Sequence, residues 1–395
     1  MTKSRNYLPK KTNQYARIRI AYIFNHSYFL GGGEISFYEL IQSLDKTLYK
    51  PFIFVPEAGE IELKLRSYNY EVDIIPLPSL KKIFLGLPIR AIFMLTKLIK
   101  HKDIDLIHAN GSRACFYAGL ASRLTGIPAI WHVRETKKDL LLYEIILSCM
   151  VKAIICVSRS VSKKRFFEIK KIISNKLYIV YNGVDTKNFR KELTVRKRVR
   201  SHLGVNSNLL FGIIGNIIPL KGQDFFLNGL AAAKRIDPNL QIKCILIGRV
   251  LNQKYYRNLL KLAKELGLTN DILFLEYEKN IKNIFSALDV FVLPSEREGF
   301  SRSLIEAMST GLPVIATRIS EIEEAVIDKE NAILVEYKNI DEIAQAIIEI
   351  SAHYDLRVKM GELNRKRAKN NFDLSYHKIA IQNIYEKLAN GKCYI

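Results

Sequence analysis

The sequence predicts an α/β fold with two parallel sheets, each covered by helices. Short apolar runs of strand length alternate with helical patterns along the chain, and this order of elements is typical of parallel sheets with helices on both faces. The chain has 395 residues and 48% apolar content, which is enough for two domains of ordinary size. A charge-dense stretch at 190–200 separates two series of strands, so we predict domains at 1–195 and 196–372.

Each predicted strand is a short apolar run followed by a turn and a helical pattern. In the first half, strands are predicted at 18–24, 51–55, 72–76, 105–108, 128–133 and 153–158, and helices at 81–100, 113–124 and 139–150. In the second half, strands are predicted at 209–215, 243–247, 272–275, 289–295, 314–317 and 332–336, and helices at 340–352, 356–370 and 374–390. The helix at 81–100 is basic and amphipathic, and Pro88 should break it.

Cysteine usage and hydropathy exclude several classes of protein. The five cysteines are scattered without a C-x-x-C pair, so neither a disulfide framework nor a zinc site is predicted. The amino terminus is polar and basic and lacks the apolar core of a signal peptide. No uncharged apolar run reaches the ~18 residues that a membrane span needs. We therefore expect a cytoplasmic protein.

The charge of the chain is strongly basic and unevenly distributed. The formal net charge is +22, and the first 200 residues carry nearly all of the excess. A basic half favours contact with anionic lipid, nucleic acid or a phosphorylated substrate. A face of solvated lysines without a partner would give the same composition.

The most informative stretch is 295–317, which has the pattern of strand end, loop, helix and next strand. Glu298 and Glu306 stand on either side of a short loop, and Ser303 with Glu306 matches the S-x-x-E capping box. We therefore predict a helix that begins near Arg302, with free amides that favour a phosphate. The two carboxylates are suited to accept hydrogen bonds from sugar hydroxyls. The spacing alone equally allows a helix cap at Glu306 and a solvated acid at Glu298.

A second ligand-binding turn is predicted after the first strand. Gly31, Gly32 and Gly33 stand between strand and helix, where glycine lets backbone amides approach a ligand closely. The run is not G-x-G-x-x-G and lacks the acidic residue of a dinucleotide site, so a nicotinamide cofactor is not predicted. A tight turn without a ligand would explain the same glycines.

The stretch from Glu298 to Val314 has the pattern E-G-F-x-x-x-x-x-E-A-M-x-x-G-x-P-V. This pattern resembles the E-x7-E signature of the retaining glycosyltransferases of family 4, which have the two-domain GT-B fold. Four other segments resemble that family and appear in its order along the chain. They are the glycine turn at 31–34, W-H-V-R-E at 131–135, N-G-V-D at 182–185 and K-G at 221–222. In a GT-B fold the last helix, about 373–395, would cross back to the first domain.

The resemblance implies roles for individual residues. Glu298 would hold hydroxyls of the donor sugar, Glu306 would hold the ribose, and the amides around Ser301 would meet the diphosphate. His132 would contact the donor sugar near the reacting carbon, whereas a structural role is predicted for His108. The implied catalytic set is Glu298, His132 and Lys221. The implied donor-binding set is Gly31, Gly32, Gly33, Asn216, Lys221, Gly299, Phe300, Ser301, Arg302 and Glu306.

Three positions depart from the usual pattern of the family or imitate another motif. Asn216 stands where the family usually has an arginine, so diphosphate binding would depend more on Lys221. Arg302 stands where the family more often has a small or apolar residue. The pair Asp103 and Asp105 imitates a D-x-D metal motif, but Asp105 opens a strand, and no metal or cofactor is predicted.

The implied activity is transfer of a sugar, with retention at the anomeric carbon, from a nucleotide-diphosphate sugar to an acceptor hydroxyl. We expect UDP to be favoured over GDP and the pathway to be bacterial cell-surface polysaccharide, lipopolysaccharide or capsule biosynthesis. A sugar-nucleotide epimerase of the same fold and a non-catalytic basic binder of lipid or nucleic acid are the alternatives. No nucleic-acid partner is expected for the transferase.

The expected acceptor is a sugar or a lipid-linked glycan that meets the first domain. The basic first half and the apolar-basic segment 81–100 predict docking on the anionic inner face of the cell membrane. Burial of the apolar face of 81–100 on the sheet is the competing interpretation.

Overall fold

The computed structural model describes residues 17–79, 86–205, 208–275 and 280–390. They form two parallel sheets with helices on both faces, which confirms the predicted α/β fold. We call the unit around the first sheet the first lobe and the unit around the second sheet the second lobe. The predicted domain limits, 1–195 and 196–372, stay a prediction.

The first lobe is a seven-stranded sheet in the order β3-β2-β1-β4-β5-β6-β7, with every pair parallel. Its elements are β1 Ile18–Ile23, α1 Gly32–Ser43, β2 Tyr49–Val55, α2 Glu60–Arg66, β3 Val72–Ile74, α3 Leu87–His101, β4 Leu106–Asn110, α4 Ser112–Thr125, β5 Ala129–Val133, α5 Leu141–Met150, β6 Ala153–Cys156, α6 Arg159–Phe166, α7 Lys170–Ile173 and β7 Leu177–Ile179. The strands are short apolar runs, and those at the centre of the sheet are buried.

The second lobe is a six-stranded parallel sheet in the order β10-β9-β8-β11-β12-β13. Its elements are α8 Leu193–His202, β8 Leu209–Ile214, α9 Gln223–Ile236, β9 Ile242–Ile247, α10 Gln253–Glu265, β10 Ile272–Leu275, α11 Ile281–Ala287, β11 Val290–Leu293, α12 Arg302–Thr310, β12 Val314–Thr317, α13 Ser320–Glu323, β13 Ala332–Val335, α14 Ile340–Ala352 and α15 Tyr354–Asn371.

The final helix, α16 (Leu374–Asn390), packs on the first lobe. Ile381, Ile384 and Tyr385 are buried in the same apolar cluster as Tyr22 of β1 and Phe37 of α1. The chain therefore returns to the first sheet after it has completed the second.

Strand order indicates where a ligand would bind in each sheet. In each sheet the order reverses beside the first strand, between β1 and β4 in the first lobe and between β8 and β11 in the second. Ligands of open parallel sheets bind outside the carboxyl ends of strands at such a reversal. The glycine turn follows β1 and the loop at 295–301 follows β11, so both predicted binding segments stand at these points.

The helix predicted at 81–100 needs a correction. Residues 80–85 lie outside the described part of the chain, and α3 begins at Leu87 with Pro88 in its first turn. Proline fits there because the first amides of a helix have no partner within it, so Pro88 helps to start the helix and does not break it. Ala91, Leu95 and Ile99 form the buried face of α3. None of the helices in the described residues is long and apolar enough to span a bilayer.

Candidate active site

The loop after β11 turns into α12 at Ser301. The structure confirms the predicted start of this helix at Arg302 and corrects the predicted cap. Ser301 has an extended backbone and its hydroxyl accepts from the amide of Leu304 at 3.4 Å, so Ser301 is the N-cap. Ser303 already lies within the helix, with its hydroxyl 3.2 Å from that of Ser301. Glu306 therefore does not close a capping box.

Glu298 forms an ion pair with Lys221. The ammonium Nζ lies 2.6 Å from Glu298 Oε1, and the carboxylate side chain is only 8% exposed. Lys221 ends a short 3-10 turn after β8, and the next residue, Gly222, has a φ of 64°. A Cβ on Gly222 would lie 2.0 Å from the carbonyl oxygen of Pro294. Glycine thus lets the loops after β8 and β11 approach closely enough for the pair to form.

Glu306 is held in a chain of charges that crosses between the lobes. Arg302 Nη2 donates to Glu306 Oε1 at 2.8 Å, and both nitrogens of the guanidinium fork bind Glu39 of α1 at 2.7 and 2.8 Å. Burial raises the pKa of Glu306, and the neighbouring Arg302 opposes this rise. Burial lowers the pKa of Arg302, but the two carboxylates outweigh this and raise it above its ordinary value. The side chain of Arg302 therefore joins the start of α12 to α1.

The glycine turn packs directly on two arginines. A Cβ on Gly32 would lie 3.2 Å from Cδ of Arg302, and one on Gly33 would lie 2.9 Å from Cδ of Arg134. Gly31 is the N-cap of α1, and its backbone is extended. The amino end of α1 thus meets the second lobe at Arg302, and a side chain at Gly32 would press against that arginine.

Further contacts hold the loop of the second lobe against the first. Ser158 Oγ donates to the carbonyl of Gly299 at 3.0 Å, and Asn182 Nδ2 donates to that of Phe300 at 3.0 Å. A Cβ on Gly299 would lie 2.0 Å from the carbonyl oxygen of Arg134. Asn216, predicted to bind the donor, donates through Nδ2 to the carbonyl of Leu30 at 2.6 Å. Its side chain therefore also contacts the opposite lobe.

His132 is fully buried at the carboxyl end of β5 and contacts a second histidine. Its Nδ1 lies 3.1 Å from Nε2 of His108, and Nδ1 of His108 lies 2.6 Å from the hydroxyl of Tyr385 on α16. Burial and the charge of Arg134 lower the pKa of both imidazoles, so both are neutral near pH 7. The structural role predicted for His108 thus includes direct contact with the predicted site histidine.

A third histidine, His377 of α16, has its ring centroid 6.4 Å from that of His132. Its Nδ1 donates to the carbonyl of Tyr181 at 2.7 Å, which leaves Nε2 as an acceptor. This Nε2 and the Nε2 of His132 are both buried without a partner in the described residues.

Sequence reasoning missed Arg134, Glu39 and Tyr385. Arg134 is partly buried, and it donates to Asn110 Oδ1 at 2.5 Å and to Asn182 Oδ1 at 2.9 Å. Burial lowers the pKa of Arg134 to about 9. Arg134 belongs to the W-H-V-R-E segment, so its sequence neighbours could have identified it. Glu39 and Tyr385 carry no comparable sequence pattern.

Two sheets that face each other through the loops at their switch points define the GT-B class of glycosyltransferases. Family models support the same class over most of the chain. Residues 30–188 match the model described as Glycosyltransferase Family 4, and residues 196–367 match the model described as Glycosyl transferases group 1. The chain is therefore a glycosyltransferase of the GT-B type.

Two bacterial relatives and one solved structure illustrate the similarity. The UDP-Gal:alpha-D-GlcNAc-diphosphoundecaprenol alpha-1,3-galactosyltransferase of Escherichia coli is 26% identical over 319 residues, which is 77% of this chain and 80% of that protein. The capsular polysaccharide biosynthesis glycosyltransferase CapM of Staphylococcus aureus is 23% identical over 325 residues, 78% of this chain and 83% of that protein. Anabaena HepE in complex with UDP has a TM-score of 0.82 at 21% identity, covering 94% of this chain and 100% of that chain. At this identity, the likeness to HepE shows the fold.

Proposed function

We propose that this protein transfers a sugar, with retention, from a nucleotide-diphosphate sugar to an acceptor hydroxyl. The observation that carries the proposal is the position of Glu298 and Glu306, which flank the amino end of α12 where that end meets the glycine turn of the other lobe. We propose UDP over GDP as the nucleotide. The UDP-sugar in the name of the E. coli relative and the UDP complex of HepE support this choice.

Glu298 and Lys221 would exchange partners when the donor binds. In the structure their charges neutralise each other at 2.6 Å. The diphosphate would take the ammonium of Lys221, and the carboxylate of Glu298 would then accept hydrogen bonds from the hydroxyls of the donor sugar. The free amides and dipole of α12 would add to the stabilisation of the leaving diphosphate. Because Asn216 brings no charge, Lys221 is the cation on which this step depends.

Retention would need no enzyme nucleophile. The bond between the anomeric carbon and the diphosphate oxygen breaks, and the acceptor oxygen forms its bond on the same face of the sugar. The acceptor proton passes to the leaving phosphate oxygen. Glu306 would bind the ribose, and the neutral imidazole of His132 would bind an oxygen of the sugar. No step in this mechanism calls for a metal.

The acceptor would be a sugar or a lipid-linked glycan of the bacterial cell surface. The names of the relatives refer to a diphosphoundecaprenol acceptor in E. coli and to capsular polysaccharide biosynthesis in S. aureus. These names support a place in polysaccharide, lipopolysaccharide or capsule assembly.

We also propose that the first lobe docks on an anionic membrane surface on the cytoplasmic side. α3 buries one apolar face, as the competing interpretation expected, yet Ile89 and Phe93 remain 51% and 64% exposed beside Arg90. Before and within α5, Leu140 and Leu142 are 82% and 70% exposed. Flotation with anionic and neutral vesicles at low salt tests this proposal. Absence of binding to the anionic vesicles would end it.

The transferase proposal is tested with a panel of UDP- and GDP-sugars and candidate acceptors. Proton NMR of the products reports the anomeric configuration, and we expect the configuration of the donor to be kept. An inverted product would refute retention. Conversion of the donor sugar without any acceptor would instead indicate the epimerase.

A further inference from the structure

Four buried side chains form a continuous hydrogen-bonded chain that ends at His132. The hydroxyl of Tyr22 lies 3.0 Å from that of Tyr385, and the hydroxyl of Tyr385 lies 2.6 Å from Nδ1 of His108. Nε2 of His108 lies 3.1 Å from Nδ1 of His132. The chain thus connects α16, the helix that crosses back from the second lobe, with the histidine at the end of β5.

The direction of donation along this chain is determined at its tyrosine end. Tyr22 donates its single hydroxyl hydrogen to the oxygen of Tyr385. Tyr385 then donates its own hydrogen to Nδ1 of His108. The neutral ring of His108 carries its remaining hydrogen on Nε2 and donates it to Nδ1 of His132. The hydrogen of the neutral His132 ring is therefore on Nε2.

Arg134 favours the same tautomer through a longer contact. Its Nη2 lies 3.4 Å from Nδ1 of His132, and a guanidinium can only donate. Both contacts of Nδ1 therefore favour acceptance, and the contact with His108 is the shorter of the two. The opposite nitrogen, Nε2, is buried and has no partner in the described residues.

We infer that Tyr385 and His108 are positioning residues that hold His132 in the tautomer with its hydrogen on Nε2, where it can donate to an oxygen of the bound sugar. This inference rests on the proposed function. α16 must then be packed on the first lobe for His132 to hold this tautomer, because the hydroxyl that sets the tautomer comes from that helix.

Tyr385→Phe tests the inference because it removes one oxygen atom and keeps the ring. We expect kcat for UDP release from UDP-glucose or UDP-galactose to fall about tenfold, since a buried hydrogen bond is lost, with little change in KM. Nitrogen-15 NMR of histidine-labelled protein should show His132 as a single tautomer in the wild type and as a mixture in the variant. Tyr49→Phe is the matched control, because Tyr49 packs on Tyr385 but donates to Glu386, outside the chain. Its kcat and spectrum should match the wild type.

A pair of substitutions at His108 keeps the test decisive if Tyr385→Phe folds poorly. His108→Gln retains an N–H at the position of Nε2, whereas His108→Leu removes it. We expect the glutamine variant to keep most of the kcat that the leucine variant loses. Equal losses in both would overturn the inference, and so would a wild-type spectrum with the proton on Nδ1. Absence of transfer activity in the wild type would overturn the proposed function instead, because the spectrum is measured without any substrate.

Discussion

Glu298 and Glu306 come from one sequence motif but are held by different parts of the molecule. Glu298 pairs with Lys221, and both belong to the second lobe. Glu306 pairs with Arg302, which reaches across the crevice to Glu39 of the first lobe. The first pair can persist when the lobes separate. The second arrangement is complete only when the lobes are together.

This difference indicates that the two carboxylates have different roles in the proposed mechanism. The Glu298 pair lies where charge changes during the reaction, and its ammonium can pass to the diphosphate. The cation of the second arrangement is more deeply buried, since the side chain of Arg302 is 6% exposed and that of Lys221 is 22% exposed. Removing one member of a buried charged set leaves the others without full compensation. Glu306 should therefore report on lobe closure as well as on donor binding.

The largest effect is expected for Glu298→Gln, which keeps the shape of the side chain and removes its charge. Lys221 loses its partner, and the sugar hydroxyls lose a charged acceptor. We expect kcat/KM for UDP release to fall on the order of several hundredfold. Glu296→Gln is the matched control, because Glu296 is exposed in the same loop. A Glu298→Gln enzyme with more than half of the wild-type activity would refute the catalytic role of Glu298.

The next largest effect is expected for Gly299→Ala, which should impair closure of the lobes without lowering stability. In Gly299→Ala the added methyl would meet the carbonyl of Arg134 in the other lobe at 2.0 Å, so the lobes cannot close fully. We expect kcat/KM to fall about fiftyfold because the reacting groups are displaced, with a nearly unchanged melting temperature.

Gly212→Ala provides the contrast within one lobe. Its methyl would lie 2.4 Å from Leu288 in the core, so it should lower stability by about 1–3 kcal/mol through overpacking. Thermal unfolding followed by circular dichroism measures both variants. Equal losses of melting temperature would show that Gly299 is also a core position and not a closure position.

An intermediate effect concerns pH. Burial raises the pKa of Glu306, so this carboxylate takes up a proton at a higher pH than an ordinary glutamate, whose pKa is ~4.3. Protonation removes the charge that faces Arg302 and weakens the proposed acceptor for the ribose. Affinity for UDP should therefore decrease several-fold as pH is lowered, and the decrease should begin above the pH at which an ordinary glutamate takes up a proton. Titration calorimetry at each pH measures it. Glu306→Gln should bind more weakly at neutral pH and lack this dependence, and an unchanged slope would assign it to another group.

The strands and the start of α12 could be predicted because they depend on local patterns, namely short apolar runs and a helix N-terminus. Whether Ser301 or Ser303 caps the helix could not be predicted, because serine suits the cap at either position. The backbone path of the loop determines which of them takes it. Pro88 was misjudged for a similar reason, since its effect depends on where the helix begins.

The partners of the predicted site residues could not be predicted. Glu39 and Arg302 are 263 positions apart, and Tyr385 and His108 are 277 apart. Such pairs form only when the lobes and α16 assemble. No periodic pattern along the sequence indicates which residues form these pairs.

The smallest effect is expected at a second bridge between the lobes. The bridge between Arg249 and Glu60 is formed by one nitrogen, Arg249 Nη2, which donates to both carboxylate oxygens at 2.7 and 2.8 Å, whereas Arg302 binds Glu39 through both nitrogens of its fork. The side chains of Arg249 and Glu60 are 29% and 39% exposed, and ion pairs in contact with water contribute only about 0–1 kcal/mol. We expect Glu60→Gln to change KM for the donor by less than about twofold, and Glu39→Gln to raise it about fivefold because Arg302 is buried. Measurement of KM in low and high salt separates the two, since salt should abolish the small effect of Glu60→Gln and leave most of that of Glu39→Gln. If both variants behave alike, burial is not what distinguishes the two bridges, and the coupling of Glu306 to closure loses its physical basis.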